Sequence, residues 1–211
     1  MIPHAQCFNG GIYINTHAGA RVPGLYAAGE TAGGAHGADR LGGAAIAATQ
    51  VFGALAGESA AQYAKGVNRT EVSLSQIEEQ LEQKFGRPEG SLLDLKASMA
   101  EIRQIMWECG AVVRTEERCK QGIARIEALE QQFHPAAHFA AAQSGQPSDI
   151  RQVNELYSYL HLSKTLLAIM QERRESRGPH YRSDYPEKDS RYDGVMAVKK
   201  VDGRYQFSIQ K

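Results

Sequence analysis

The sequence lacks the features that would assign it to several common classes of protein. It contains no run of eighteen apolar residues that would span a membrane, and no basic-then-apolar stretch typical of a signal peptide opens it. Its 24 Lys and Arg residues are balanced by 24 Asp and Glu residues, so no net charge attracts nucleic acid or anionic lipid. We therefore expect a cytoplasmic protein that does not bind nucleic acid.

Cysteine is scarce as well. The three cysteines, Cys7, Cys109 and Cys119, include no Cys-x-x-Cys pair, which argues against a disulfide framework or a zinc site and favours a reducing compartment. His134 and His138 have the spacing of a metal-binding pair on a helix, but the adjacent proline and polar surroundings favour a loop, and no third ligand is evident. We expect no metal site.

A dinucleotide fingerprint is also missing, because no Gly-x-Gly-x-x-Gly follows a strand. What the sequence does contain is GLYAAGE at residues 24–30 and HGADRLGG at residues 36–43. An apolar strand, one acid, a glycine-rich turn and an arginine precede an alanine-rich helix, and this order brings backbone amides and a helix N-terminus close to a large ligand. The pattern indicates a nucleotide-type cofactor site.

Periodicity predicts the remaining architecture. We expect short strands at 12–14 and 25–27 and a helix at 44–64, whose small residues suit the close approach of a backbone or a flat ligand. Apolar stripes at helical spacing begin at Leu95, Cys119 and Val153. With a shorter helix at 74–85, they predict a three-helix, spectrin-repeat-like bundle. A loop is expected at 134–147, and a β-hairpin at 195–201 and 204–209.

Three segments carry a family resemblance. Residues 24–43 resemble a flavin-binding segment of the succinate dehydrogenase, fumarate reductase and L-aspartate oxidase flavoproteins. Residues 105–117, IMWECGAVVRTEE, are similar to the helical domain of that family, above all to its L-aspartate oxidase branch, and residues 175–187, ESRGPHYRSDYPE, resemble the segment that closes this domain. The resemblance implies the C-terminal portion of an FAD-dependent oxidoreductase that lacks the dinucleotide-binding motif and the capping domain. An engineered piece, a truncated reading frame and one half of a split enzyme remain open.

The resemblance also implies which residues contact the cofactor. Glu30 would accept hydrogen bonds from its hydroxyl groups. Gly43, Ala45 and Ile46 would meet the isoalloxazine ring through backbone amides. Ala45 and Ile46 stand where the family has Ser-Leu, so a side-chain hydroxyl is lost, but the contact needs only amides and the helix dipole.

For the substrate, the resemblance implies that Arg40 binds a carboxylate, which suits the planar, permanently charged guanidinium. The alternative is a structural salt bridge to Asp39. The family places a histidine four residues before a Gly-Gly pair, where this sequence has Gln6, and His4 lies two positions earlier. We take Gln6 as the aligned residue and His4 as the alternative; a glutamine donates to a carboxylate without supplying charge. The proton-shuttling arginine belongs to the capping domain, so this chain carries no assigned catalytic residue.

We therefore expect an α+β protein whose residues 1–66 form the last part of an FAD-binding domain, 71–172 the helical bundle and 173–211 a tail with a hairpin. In the tail, a basic cluster around Arg173, Arg177 and Arg182 is expected to be solvated or paired with nearby acids. The isolated chain is expected to be inactive and to bind FAD weakly or not at all.

Its expected partners are the missing N-terminal half, a carboxylate-bearing small molecule and an iron–sulfur subunit; the electron acceptor and homo-oligomerisation are left open. A second hypothesis makes the bundle a docking module for that subunit or that half. Such docking would place the protein peripherally at the inner face of the membrane.

Overall fold

A computed structural model describes residues 7–68, 71, 73–85, 92–141 and 147–210. Gln6 and His4 lie outside the described residues. Long helices combine with three two-stranded sheets within this part of the chain, so the protein has the predicted α+β fold. None of the helices in the described ranges is long and apolar enough to cross a membrane.

Residues 7–43 contain little regular structure. Strand β1 (Ile12–Tyr13) runs parallel to β2 (Ala32–Gly33), and a single 3-10 turn, Gly29–Thr31, leads into β2. The predicted strand at 25–27 is wrong, since Tyr26 forms only one isolated bridge, with Gly19. The chain reverses immediately before it, where the Leu25 amide donates to the Val22 carbonyl, so there is no room for a longer ladder.

Helix α1 (Ala44–Lys65) begins at the residue that the sequence predicts, and α2 (Leu74–Phe85) has the predicted bounds. The three helices of the bundle are α3 (Leu95–Gly110), α4 (Glu116–Gln132) and α6 (Pro147–Glu172), and each packs against the other two. Strand β3 (Val113–Arg114) lies between α3 and α4. The predicted three-helix bundle is therefore present.

The core of the bundle is formed by the predicted apolar stripes. Each helix turns one face inward, as the recurrence of apolar residues every three or four positions requires. Two further residues of α3, Ile105 and Cys109, also belong to this core. The buried residues of the core are Met99, Ile102, Ile105, Cys109, Ile126, Leu129, Phe133, Val153, Leu156, Leu160 and Leu167.

The prediction of a loop at 134–147 is wrong in its first half, because α5 (Pro135–Ala141) is a short helix. Its proline occupies the first helical position, where the fixed φ angle suits a helix and the missing N–H is not needed. The buried ring of His138 fixes this helix to the chain before α3 by accepting a hydrogen bond from the Leu93 amide at 3.0 Å.

Helix α3 begins at a side-chain cap. One carboxylate oxygen of Asp94 accepts hydrogen bonds from the amides of Lys96 and Ala97, both at 3.0 Å. We expect Asp94→Ala to lower the free energy of unfolding by about 1 kcal/mol, because two amides at the helix start lose their acceptor. Urea titration followed by circular dichroism measures this change. Asp94→Asn keeps an acceptor oxygen and should retain most of the stability, so equal losses in both variants would contradict the capping role.

The closing segment after α6 folds back onto the connection between α3 and α4. Strand β4 (Tyr181–Arg182) runs parallel to β3. The fully buried guanidinium of Arg182 donates to the carbonyls of Met170 and Gln171 at 2.7 and 3.0 Å, which satisfies the end of α6. The same side chain forms an ion pair with Asp184 at 2.7 Å.

The chain ends in the predicted hairpin, in which β5 (Val195–Val201) pairs with β6 (Arg204–Gln210) across a turn at Asp202 and Gly203. The hairpin contacts both the helical bundle and the N-terminal part of the chain. The Tyr205 hydroxyl bonds to the Thr165 hydroxyl in α6 at 3.0 Å. At its far end, Arg21 donates to the Gln210 side chain at 3.2 Å.

Candidate functional site

The candidate site forms where the chain leads into the β1–β2 pair. Because the two strands are parallel, the segments that precede them lie side by side, and they contain Cys7–Asn9 and Glu30. A carboxylate oxygen of the exposed Glu30 accepts a hydrogen bond from the Phe8 amide at 2.9 Å. The acid is therefore fixed at the surface in a defined position.

The half-buried guanidinium of Arg40 approaches the same short segment. One of its terminal nitrogens lies 3.2 Å from the Cys7 sulfur, and the other lies 3.5 Å from the Leu41 carbonyl. Asp39 accepts a hydrogen bond from the backbone amide of Arg40 at 2.8 Å, and no side-chain ion pair joins these two residues in the described part of the chain. Glu30 and Arg40 thus contact adjacent residues of the segment that leads into β1.

Asn9 connects this segment to the glycine-rich turn, which we define as residues 37–43. Its side-chain amide lies 3.5 Å from the Ala38 carbonyl and 3.4 Å from an Asp39 carboxylate oxygen. Its own buried carbonyl oxygen has no hydrogen-bond partner among the described residues. An unpartnered buried acceptor is costly in a folded protein, so a further donor at this oxygen would stabilise the segment.

The start of α1 is open to a ligand. Gly43 is the N-cap residue and provides no side-chain cap. In the part of the chain that the structure describes, no atom beyond the chain neighbours lies within 4 Å of the positions that a Cβ would occupy at Gly42 or Gly43. The amides of Ala44 and Ile46 donate to the carbonyls of Leu41 and Gly43, both at 3.1 Å. The Ala45 amide bonds to no backbone carbonyl in the described residues, and as a free donor at a helix N-terminus it favours a partly negative ligand atom.

Apolar side chains around this helix start face solvent. Leu41 is 85% exposed and Ile46 is 72% exposed, and Phe8 and Val51 are exposed as well. None of the 22 residues of α1 is buried. A helix gains most of its stability in a protein from packing of an apolar face, so this surface is suited to a further body of protein or to a flat ligand.

The structure brings Glu30 and Arg40 to adjacent residues, and it places Gly43 at the end of the glycine-rich turn and Ala45 and Ile46 at the start of α1. His36 lies half-buried in the chain that leads into the turn. Sequence reasoning did not identify Cys7 and Asn9, although both follow Gln6 within three positions. That proximity to a predicted substrate contact was the available signal.

The closing segment after α6 contains a buried ionic cluster. At its centre is Glu175, whose side chain is fully buried. Its two oxygens accept hydrogen bonds from Arg173, Arg177 and the Asp189 amide over 2.6–2.9 Å. Burial by itself would raise the pKa of Glu175, but the bonds from Arg177, Asp189 and Arg173 lower that pKa to about 2. The predicted ion pairs of the basic cluster are confirmed here for Arg173 and Arg177.

The side chains of His138, Cys109 and Cys119 are buried parts of the fold. Burial lowers the pKa of His138, whose Nε2 already accepts a backbone hydrogen bond. Burial likewise raises the pKa of the Cys109 and Cys119 thiols, which are free cysteines inside the bundle. A neutral buried thiol is a poor nucleophile.

Comparison with known families gives two matches. Residues 99–208 match the family model described as fumarate reductase flavoprotein C-term, and residues 1–46 match the FAD binding domain. The first match covers the bundle and the closing segment, and the second contains the segments before β1 and β2 and the glycine-rich turn.

Individual relatives agree with these families. A fumarate reductase flavoprotein of Haemophilus influenzae is 32% identical over 85% of this chain and 31% of its own length. An L-aspartate oxidase of Acinetobacter baylyi is 28% identical over 89% of this chain and 32% of its own length. A solved Sdh1 complex of Mycobacterium smegmatis shares 28% identity and a TM-score of 0.70 over 95% of this chain and 34% of the solved one. The chain thus spans about a third of the length of these relatives.

Proposed function

Because the chain belongs to the fumarate reductase flavoprotein family, we propose that it acts as the C-terminal part of an FAD-dependent oxidoreductase. That enzyme would transfer a hydride between the flavin and a carboxylate-bearing substrate. The observation that carries the proposal is the approach of one acid and one guanidinium to adjacent residues of the segment before β1, beside an open helix start.

The residues of the site fit an FAD molecule. Glu30 is exposed and fixed, and its carboxylate is suited to accept hydrogen bonds from ribityl or ribose hydroxyls. Gly43 leaves open space beside the backbone, and the free Ala45 amide points from a helix N-terminus. The Ile46 amide is already bonded to Gly43, so Ile46 would meet the ring through its exposed side chain or after that bond opens. When bound, the flavin supplies the hydride acceptor or donor.

Arg40 would bind and orient the substrate. Its guanidinium is only half-buried, and apart from the Leu41 carbonyl its described side-chain contact is the weakly accepting Cys7 sulfur. A carboxylate would therefore replace weak contacts by a bidentate, charge-assisted pair. The positive charge would also stabilise the negative charge that develops on an unsaturated substrate as a hydride is added to it. Gln6 would add a neutral donor from the same segment.

Membership of this family also suggests how the chain is divided into domains. Residues 1–66 would complete an FAD-binding domain, 71–172 form the helical bundle and 173–211 the closing tail. The unburied α1 and the exposed Leu41 and Ile46 support a further body of protein against the first region, since such a surface is otherwise left in water. The remaining part of the flavoprotein is the partner that this surface would take. The occurrence of a solved relative in a complex supports a second partner subunit. An iron–sulfur subunit is the partner that the family resemblance implies.

Two samples test the proposal. The purified chain is expected to show no flavin absorbance and no dicarboxylate-dependent dye reduction. A mixture with a separately produced polypeptide that covers the N-terminal two thirds of such a flavoprotein is expected to recover both. The N-terminal polypeptide alone, given FAD, is the control.

The outcomes separate the hypotheses. A purified chain that is yellow and reduces the dye would refute the expected inactivity. Binding of an iron–sulfur subunit by the bundle, without recovery of flavin in the mixture, would favour the docking module over the oxidoreductase.

A further inference from the structure

The closing segment touches the candidate site at one point. The turn formed by residues 177–180 places Gly178 against the backbone of Ala38, in the glycine-rich turn that presents Arg40. A Cβ added at Gly178 would lie 2.7 Å from the Ala38 carbonyl oxygen and 3.1 Å from its carbonyl carbon. The two segments are 140 positions apart in sequence, so this contact joins the tail to the predicted cofactor domain.

The 177–180 turn is rigidly anchored. The backbones of Arg177 and His180 exchange two hydrogen bonds, at 2.9 and 3.1 Å. The Arg177 side chain is bound to the buried Glu175. Arg114, which comes from β3, donates to the Pro179 carbonyl at 3.2 Å and lies 3.1 Å from the His180 ring. The tip that carries Gly178 is therefore attached to the bundle from two sides.

The glycine-rich turn, in contrast, has little support of its own. Among the described residues, no atom other than those of the chain neighbours lies within 4 Å of the Cβ positions of Gly37, Gly42 or Gly43. Ala38 and Asp39 are exposed, and their contacts with Asn9 are long, at 3.4–3.5 Å. A backbone with so few contacts samples several positions unless a neighbour restricts it.

We propose that Gly178 is a positioning residue for Arg40. The anchored 177–180 turn packs against the Ala38 backbone. This contact fixes the glycine-rich turn and thereby the position of the Arg40 guanidinium, two residues later. Glycine is required because its φ angle is +55° and because no Cβ fits beside the Ala38 carbonyl. The role in substrate binding rests on the proposed function, whereas the mechanical coupling does not.

The first test uses the chain itself. Amide hydrogen exchange over residues 34–43 is compared in the wild type, in Gly178→Ala and in the control Gly203→Ala. Gly203 also has a positive φ angle, +77°, but nothing lies within 4 Å of its Cβ position, so the control has the backbone strain without the displaced contact. We expect exchange over 34–43 to rise about tenfold in Gly178→Ala alone, with α3, α4 and α6 unchanged.

Equal exchange over 34–43 in the two variants would overturn the proposal, and so would a rise of similar size throughout the bundle. If Gly178→Ala does not fold, Arg114→Lys provides the second variant, because it keeps the charge but cannot reach both Pro179 and His180. It is expected to raise exchange over 34–43 about threefold. No rise there in a folded Arg114→Lys protein would also overturn the coupling.

The second test uses the reconstituted flavoprotein. Gly178→Ala is expected to raise KM for a dicarboxylate about tenfold with little change in kcat, because displacement of Arg40 weakens substrate binding before it affects hydride transfer. Gly203→Ala should leave both constants unchanged. A loss confined to kcat would contradict the positioning role. An inactive wild type would instead refute the proposed function and leave the exchange result as the measure of the coupling.

Discussion

Replacement of Arg40 by alanine in the reconstituted flavoprotein is expected to lower kcat/KM for a dicarboxylate by about 1,000-fold. A bidentate guanidinium–carboxylate pair in a partly desolvated site contributes several kcal/mol, and each 1.4 kcal/mol corresponds to a factor of ten. Arg40 is suited to this role because its half-buried side chain contacts, in the described part of the chain, only the weakly accepting Cys7 sulfur and, at 3.5 Å, the Leu41 carbonyl. Dye-coupled assays with succinate and fumarate measure the effect.

Two variants make this result specific. Arg40→Lys keeps the positive charge but not the planar fork, so it should recover only part of the loss. Arg151→Ala removes an arginine that is 80% exposed on α6 and paired with Glu155, and it should change nothing. Activity of Arg40→Ala within threefold of the wild type would remove Arg40 from the substrate site, while retained flavin absorbance would show that the cofactor site survives.

The bundle could be predicted in detail because its signal is local and repeated. The stripes that start at Leu95, Cys119 and Val153 each recur over about three to five helical turns, and together they supply most of the core. Apolar periodicity of this length has few structural alternatives. The hairpin was predictable for a similar reason, since Asp202-Gly203 is a turn signal between two alternating segments.

The candidate site was predictable only through its family resemblance. Two-residue strands such as β1 and β2 leave no periodicity to read. The sequence order does not indicate that Cys7 and Phe8 lie between Arg40 and Glu30, because that contact depends on the parallel register of β1 with β2. The predicted strand at 25–27 is absent because strand propensity alone does not show where the chain reverses.

The contact between the closing segment and the glycine-rich turn could not be predicted from the sequence. Nothing in the sequence near Gly178 indicates Ala38 as its neighbour, since the approach is set by the packing of β4 on β3 and by the buried ion pairs. The basic cluster left solvation and ion pairing equally open, and burial decided between them. The packing of the closing segment buries these charges, so that they form ion pairs inside the protein and not a solvated surface.

That network gives the largest expected loss of stability. We expect Glu175→Gln to lower the free energy of unfolding by about 3–5 kcal/mol, because Arg173 and Arg177 would stay largely buried without their shared carboxylate. Their side chains are only 15% and 23% exposed, and Glu175 is fully buried. Glu155→Gln is the matched control, because it removes the same charge from the exposed pair with Arg151 and should cost less than about 0.5 kcal/mol. Urea titration at neutral pH measures both.

The contribution of Glu175 should also be visible in the wild type as a loss of stability in acid. The folded pKa of Glu175 is about 2, below its ordinary value of 4.5, so its stabilising contribution is complete above pH 4.5 and is lost as the pH falls toward 2. Asp184 behaves in the same way, because hydrogen bonds from Arg182 and the Glu116 amide lower its pKa to about 2. The free energy of unfolding should therefore fall steeply below pH 4.5 in the wild type and less steeply in Glu175→Gln, which lacks the Glu175 contribution but retains that of Asp184. Parallel acid profiles in the two proteins would show that Glu175 is not bound to its arginines in solution.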